Sequence, residues 1–250
     1  MSHVVSIVRH GQIFERDSFY ARYDDCVNDI LSFASEAGIT YDNCRLLDVG
    51  SGDGIIDLGV AQRTGSRVFG IDIIMTDRDA LIAGSREHGI TLDRGSLDFS
   101  LYADGLLQFP DAYFDHAFSR DVFEHVFDPV TLLKAVHRVL EPGGTFCVQI
   151  WPLWHSEWGA HLFERQAPWE HLVRSRSEIL SRWEGIWQAH ASYDSCARTS
   201  IDDLQRACLA ANFRAVRVEL MTPTFCPPEH ADHLRWSEMG IAGIKLLLQK

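Results

Sequence analysis

Leu46-Leu47-Asp48-Val49-Gly50-Ser51-Gly52-Asp53-Gly54 sets an apolar run against three glycines at alternating positions, and a helical pattern (Ile55, Ile56, Leu58, Val60, Ala61) follows at once. An apolar run closed by glycines and continued at helical spacing predicts a strand, a tight turn and a helix. A turn of this kind has no Cβ atoms to hold a ligand off the main chain, and the helix start adds unpaired N–H groups. The stretch therefore reads as the ligand-binding unit of a parallel sheet.

Dinucleotide sites use a related loop, GxGxxG, whose third glycine is needed beside a pyrophosphate. Here Ile55 occupies that position. Asp53 is an awkward neighbour for a diphosphate but suits an amino-acid zwitterion or a sulfonium. Asp72 ends the next apolar run, Arg67-Val68-Phe69-Gly70-Ile71-Asp72. It lies roughly twenty residues on, where a carboxylate accepts both hydroxyl protons of a ribose. A nucleoside-bearing ligand is expected from this pairing.

Outward from the loop, apolar runs alternate with helical patterns, which predicts a mostly parallel sheet with helices on both faces. Residues 76–88 read as a helix, 114–119 as the fourth strand and 145–150 as the fifth, while 90–96 and 99–103 compete for the third. Asp128-Pro129 opens a helix whose apolar face is Leu132, Leu133, Val136, Val139 and Leu140, and Glu141-Pro142-Gly143-Gly144 reads as the turn that ends it. Ser200 caps a helix with Ile201, Leu204, Cys208 and Leu209 on one face, and 214–221 and 244–248 are the closing strands. Upstream, residues 19–38 form an amphipathic pattern (Cys26, Val27, Ile30, Leu31, Phe33) expected to cover the ligand end. We expect one α/β domain over 1–250: an N-terminal helical lid (1–44), a binding core (45–150), an insertion (151–199) and a closing helix with strands (200–250). The insertion holds Trp151, Trp154, Trp158, Trp169, Trp183 and Trp187, and only Trp236 lies outside it.

A formal charge of -12 opposes a phosphate backbone, so a nucleic-acid partner is not expected. No run reaches the roughly 18 apolar residues that span a bilayer, and the first residues lack the layout of a signal peptide, so no membrane partner is expected either. Cys26, Cys44, Cys147, Cys196, Cys208 and Cys226 contain no CxxC pair, which fits free thiols and a cytoplasmic protein.

Four segments occur in order: LDVGSGDG (47–54), FGID (69–72), FPDAYFDHAFS (109–119) and LEPGGTF (140–146). Together they resemble the class I S-adenosylmethionine-dependent methyltransferases, which share DxGxGxG, an acid after strand two, FPDxxFD and LxPGG. The resemblance covers about residues 45–150. It implies a Rossmann-like class I methyltransferase fold with a seven-stranded sheet, S-adenosylmethionine as cofactor and S-adenosylhomocysteine as product. It also implies that Gly50, Ser51 and Gly52 border the methionyl part, Asp72 the ribose, and Asp104 with Gly105 the adenine. Asp48, Gly54, Ile73 and Arg120 complete the implied cofactor set. A second match, Ile7-Val8-Arg9-His10-Gly11, is similar to the start of histidine phosphatases. The sheet is committed elsewhere, so Arg9-His10 reads as a surface or lid segment.

Methyl transfer is an in-line displacement in which positioning does most of the catalysis, and a hydroxyl acceptor must also lose a proton, usually to histidine. The candidate catalytic residues are His125, in the SRDVFEHVFDP run after strand four with Asp121 and Glu124 nearby, and His155 and His161 after strand five. Trp154, Trp158 and Trp169 are expected to contact substrate. The competing readings are that His125 only encloses the cofactor and that the tryptophans are a packing cluster. The insertion resembles, more loosely, those of bacterial methyltransferases acting on surface glycans and sugars, and aromatic faces suit sugar rings. The expected function is O-methylation of a small hydroxylated metabolite or sugar. The alternatives are N-methylation of a small amine and a cofactor-binding scaffold without turnover. A homodimer is left open. No metal is expected, because Cys226, Glu229, His230 and His233 flank Pro227-Pro228 in what reads as a plain loop.

Overall fold

The computed structural model describes residues 16–103, 105–163, 165–227 and 235–250. Arg9-His10, Asp104 and the Glu229, His230 and His233 part of the late loop lie outside the described residues. Seven strands form one sheet: β1 (Arg45–Val49), β2 (Arg67–Asp72), β3 (Leu97–Leu101), β4 (Phe114–Arg120), β5 (Leu140–Ile150), β6 (Arg214–Met221) and β7 (Gly243–Gln249). Their spatial order is β3-β2-β1-β4-β5-β7-β6. The first five run parallel, and β7 is antiparallel to both β5 and β6. The order reverses between β1 and β4, and a crevice beyond the carboxyl ends of the strands at such a point is where this architecture holds ligands.

Successive residues of a strand face opposite sides of the sheet, and this alternation sorts the core into two layers. Leu46, Val68, Phe118 and Leu247 pack with Val27, Ile30, Ile55 and Leu58 on one side. Leu47, Phe69, Ala117, Phe146 and Leu246 pack with Leu132, Leu133, Val136 and Leu204 on the other. Burying each such side chain is worth about 1.5–3 kcal/mol. The N-terminal helical stretch runs from Arg16 to Ser35 with a π-helical segment at Ala21–Cys26, and its Phe19, Val27, Ile30 and Phe33 are buried.

Three details differ from the sequence expectation. The third strand falls at Leu97–Leu101, overlapping the second competing segment but beginning two residues before it, because Asp93 caps a short 3-10 turn at Arg94–Ser96 that takes up the end of the first. Glu141-Pro142-Gly143-Gly144 lies inside β5, where the pairing with β4 shifts register between Phe114 and His116 and Gly143 has φ 83°. Leu209 is exposed, since the helix Ile201–Ala210 buries Leu204, Ala207 and Cys208, and Ala211 continues that face at the i, i+3, i+4, i+7 spacing.

Residues 151–199 carry short helices (Glu170–Val173, Arg176–Leu180, Trp187–Ser195) around a core of their own: Trp154, Leu162, Ile179, Leu180, Trp183 and Tyr193. Buried Glu157 accepts the backbone N–H groups of Thr224 and Phe225 at 3.0 Å, tying this unit to the segment after β6. Among the described residues no helix is long and apolar enough to cross a membrane.

Candidate active site

The bend after β1 is fixed by main-chain bonds to the neighbouring strand. The N–H groups of Gly50 and Ser51 both donate to the Ile71 carbonyl, at 2.7 and 3.0 Å. Gly50 has φ 90°, and a Cβ there would lie 2.1 Å from Val122 Cγ2, so the loop is pressed against the turn that follows β4. Gly52 also needs its left-handed φ of 53°, but a Cβ on it would meet nothing within 4 Å; its bare main chain faces open space. The Gly52 N–H donates to Asp72 Oδ2 at 2.8 Å, and the Ile74 N–H donates to Oδ1 at 3.0 Å. The Thr76 hydroxyl donates to the Gly52 carbonyl at 2.7 Å. Asp72 at the tip of β2 is thus bonded directly to the glycine loop, and Gly54 precedes the helix Ile55–Thr64 as its cap.

Ile73, Leu101 and Leu106 are exposed apolar side chains around the tips of β2 and β3. Leu101 and Leu106 border a hollow of about 240 Å³ that is also lined by Ile71, Leu107 and Phe109. Gly105, with φ 73°, stands in the loop beside it, with Thr131 Cγ2 at 3.3 Å from where a Cβ would be. Arg120, at the end of β4, is held by charge: its Nη1 donates to Asp29 Oδ2 at 2.7 Å and Gln149 Oε1 at 2.8 Å, and Asp121 lies 3.5 Å from its Nε. Lys245 also pairs with Asp29.

Beneath the loop, Asp48 and Asp57 are both buried. Burial, then the neighbouring carboxylate of Asp57, raises Asp48 well above the usual carboxylate range, and burial raises Asp57 to about 7. Two carboxylates cannot both stay ionised in such a place, so the pair holds a proton near neutral pH. Asp57 was not visible as a site residue in the sequence, because only the packing of the helix Ile55–Thr64 on β1 brings it to Asp48. Asp53 pairs instead with Arg22 of the N-terminal stretch at 3.2 Å.

The second half of the site lies where the insertion meets the end of β4. Asp121 takes a left-handed φ of 53°, and a 3-10 turn at Phe123–His125 follows. His161, also left-handed with φ 58°, brings its ring centroid to 4.9 Å from that of His125. Burial lowers the pKa of His125, and burial with the His125 charge lowers His161 to about 4. Burial pushes Glu124 well up. Trp154 is buried beside them under the Arg198 guanidinium, 4.6 Å from its ring, and Glu124, Trp154 and Arg198 share the wall of a narrow cleft with Phe123 and Leu153.

Of the sequence candidates, His125 and His161 come together, and Trp154 shares a cleft wall with Glu124. His155 stands apart, in the field of Glu238, Arg235 and Asp203. Trp169 is wholly buried against Met239, with its Nε1–H donating to the His155 carbonyl at 3.2 Å, and Trp158 is half-buried between Phe163 and Phe225. Trp169 therefore fits the packing reading of the tryptophans. Sequence reasoning gave no role to Arg198 and set Glu124 down only as a nearby acid. Arg198 is the harder to find, since it lies far along the chain from the β4 turn and no spacing signals it.

Residues 47–148 match the family model described as a methyltransferase domain. Over 109 residues the chain is 33% identical to a ubiquinone biosynthesis O-methyltransferase of Cereibacter sphaeroides, covering 43% of this chain and 41% of that protein. Over 102 residues it is 34% identical to a protein of the same name from Pseudomonas aeruginosa, covering 40% and 41%. The chain thus spans about two fifths of the length of these curated relatives. Among solved structures, a geranyl diphosphate C-methyltransferase of Streptomyces coelicolor superposes with a TM-score of 0.59 at 14% identity, covering 93% of this chain and 82% of that one. An S-adenosylmethionine-dependent methyltransferase of Mesorhizobium loti gives 0.55 at 17%, covering 88% and 96%. A protein described as a [4+2]-cyclase gives 0.56 at 20% over 90% and 76%, so the fold by itself does not name a reaction. The family match, the strand order and the glycine loop bonded to Asp72 agree: the segment from 47 to 148 is similar to a methyltransferase domain and has the Rossmann-like class I methyltransferase fold.

Proposed function

We propose that this chain is an S-adenosylmethionine-dependent enzyme that methylates an oxygen of a small hydroxylated acceptor. The observation that supports it most is the bond from the Gly52 N–H to Asp72, which sets an open, Cβ-free main chain beside the carboxylate at the tip of β2. In this reading Gly50, Ser51 and Gly52 receive the amino-acid portion of the cofactor. Asp72 uses its remaining lone pairs for the ribose hydroxyls, and the apolar rim of Ile73, Leu101 and Leu106 packs on the base. The cofactor, when bound, supplies an electrophilic methyl on a cationic sulfur. The buried, proton-sharing Asp48 and Asp57 lie below the loop and contribute negative charge to that end.

The acceptor end is assigned to the region between the β4 turn and the insertion, where Glu124 and Trp154 line the cleft and the His125 and His161 rings meet next to Glu124. Oxygen is favoured over nitrogen because the curated relatives carry O-methyltransferase names. The insertion supplies Leu153, Trp154 and Arg198 to the wall of this cleft, alongside Phe123 and Glu124 of the β4 turn. The test is calorimetric titration with S-adenosylmethionine and S-adenosylhomocysteine, followed by methyl transfer to panels of phenols, sugars and amines. Saturable binding of both, abolished or weakened in Asp72→Ala, with turnover confined to hydroxyl acceptors, is expected. Tight binding without turnover on any panel would point instead to a cofactor-binding scaffold.

A further inference from the structure

Three hydrogen-bond acceptors converge where the insertion meets the end of β4. One ligand-capable atom from each of Glu124, His125 and His161 lies within 4.8 Å of the other two. The surrounding bonds fix which lone pairs are free. His125 Nδ1 faces the Ser195 carbonyl at 3.3 Å and the Ser195 hydroxyl at 3.1 Å, and that hydroxyl already donates to the Ser192 carbonyl at 2.8 Å. Both neighbours of Nδ1 are therefore acceptors, so Nδ1 carries the proton and Nε2 presents a lone pair. His161 bonds the carbonyl of Pro152, which offers no N–H, while its Nε2 is buried with no partner. Glu124 is buried, and its Oε2 has no partner either.

Acceptors gathered in a dry pocket without a donor repel one another and cost free energy, unless something positive sits among them. A proton on one of the three can satisfy a single pair, whereas a divalent cation satisfies all three. Each imidazole gives its other ring N–H to a backbone carbonyl, which is the arrangement that orients metal-binding histidines. Two imidazole nitrogens and a carboxylate oxygen form a donor set of borderline softness that suits zinc-class ions better than calcium or magnesium.

We propose that Glu124, His125 and His161 form a binding site for one divalent ion of the zinc class. The ion pins the insertion to the turn after β4. Three protein ligands leave a further coordination position toward the cleft lined by Phe123, Leu153 and Trp154. Arg198 lines the same cleft, its cation held over the Trp154 ring. The sequence does not announce this set: two of its members are adjacent on a 3-10 turn and the third arrives from the insertion, so no motif spacing marks it. The site stands independently of the cofactor assignment.

The test uses the whole chain, stripped with a chelator and titrated with Zn²⁺ by calorimetry and with Co²⁺ by visible d–d absorption, in the absence of any cofactor. Glu124→Gln keeps the shape of its side chain, and His161→Asn keeps a residue that tolerates the left-handed backbone. Circular dichroism and the melting temperature of the ion-free variants verify that they fold. The expected result is one ion per chain, a four-coordinate cobalt spectrum, a melting temperature raised by the ion, and affinity lowered about tenfold or more in each variant. Cys226→Ser, at the competing late loop, is expected to bind as the parent does. The proposal is overturned if the folded parent binds no ion at micromolar concentration. It is equally overturned if Glu124→Gln and His161→Asn bind as well as the parent, or if Cys226→Ser alone loses the ion.

Discussion

Replacing Gly50 by alanine perturbs the point where the glycine loop and the β4 turn touch. The φ of 90° carries a steric cost for any L side chain, of order 1–2 kcal/mol. The new Cβ would also lie 2.1 Å from Val122 Cγ2, and relieving such an overlap by moving packed atoms costs a further ~1–3 kcal/mol. The sum is about 2–5 kcal/mol, which for a domain of this size lowers the melting temperature by about 4–20 °C. Denaturant or thermal unfolding of Gly50→Ala measures it directly. The steric and conformational parts separate in a cycle with Val122→Ala, which removes the clashing methyls but leaves φ unchanged. The double variant is expected to be more stable than the sum of the single losses by about 1–2 kcal/mol. A Gly50→Ala protein within about 0.5 kcal/mol of the parent, or strict additivity in the cycle, would refute the packing of Val122 on the loop.

Asp72→Ala is expected to weaken S-adenosylhomocysteine binding by roughly tenfold to a hundredfold, from lost charge-assisted bonds of about 1.5–3 kcal/mol; unchanged affinity in calorimetry removes Asp72 from the site. Burial raises Asp57 to about 7, so the folded chain holds a proton that the unfolded chain has released above about pH 4. Stability contributed by this group is therefore present at low pH and declines as pH rises through about 7, by at most about 1.4 kcal/mol per pH unit. Asp57→Asn should gain stability relative to the parent between pH 5 and pH 8, and equal pH slopes in urea unfolding would contradict the shared proton. Ser200→Ala removes a capping box in which Ser200 Oγ accepts the Asp203 N–H at 3.1 Å, and a loss of about 1 kcal/mol in urea unfolding is expected; no loss would show that the cap is redundant.

The half of the molecule around the glycine loop was largely legible from local signals. β1, the glycine loop, β2 and the helix after Pro129 are each set by a run of neighbouring residues, and Asp128 caps Thr131 as its position implied. The third strand was not, because Leu97-Asp98-Phe99-Ser100-Leu101 mixes polar and apolar character at an edge where pairing with β2, from Val68 to Asp72, decides the register. The register shift in β5 was hidden because Pro-Gly-Gly reads as a turn in any single strand, and only pairing with β4 turns it into an irregularity. The region under the insertion resisted for a related reason. His155 and His161 look alike along the chain, yet one sits beside Glu238 and the other beside His125. Asp57, Glu124 and Arg198 acquire their chemistry from burial and from partners far away in sequence, which no motif records.

The turn after β4 touches both halves at once: Val122 covers Gly50, while Glu124, two residues on, lines the cleft under the insertion and His125, three residues on, meets His161 of the insertion. A strap that short behaves as a lever. Any occupant that shifts the glycine bend must also shift the two side chains at its far end, and thermodynamic reciprocity makes the traffic run both ways. A guest in the cleft would then tighten or loosen the grip on the nucleoside by the same factor that the nucleoside imposes on the guest. On the proposed function, order of binding and the release of the spent donor would both pass through six consecutive residues, 120–125.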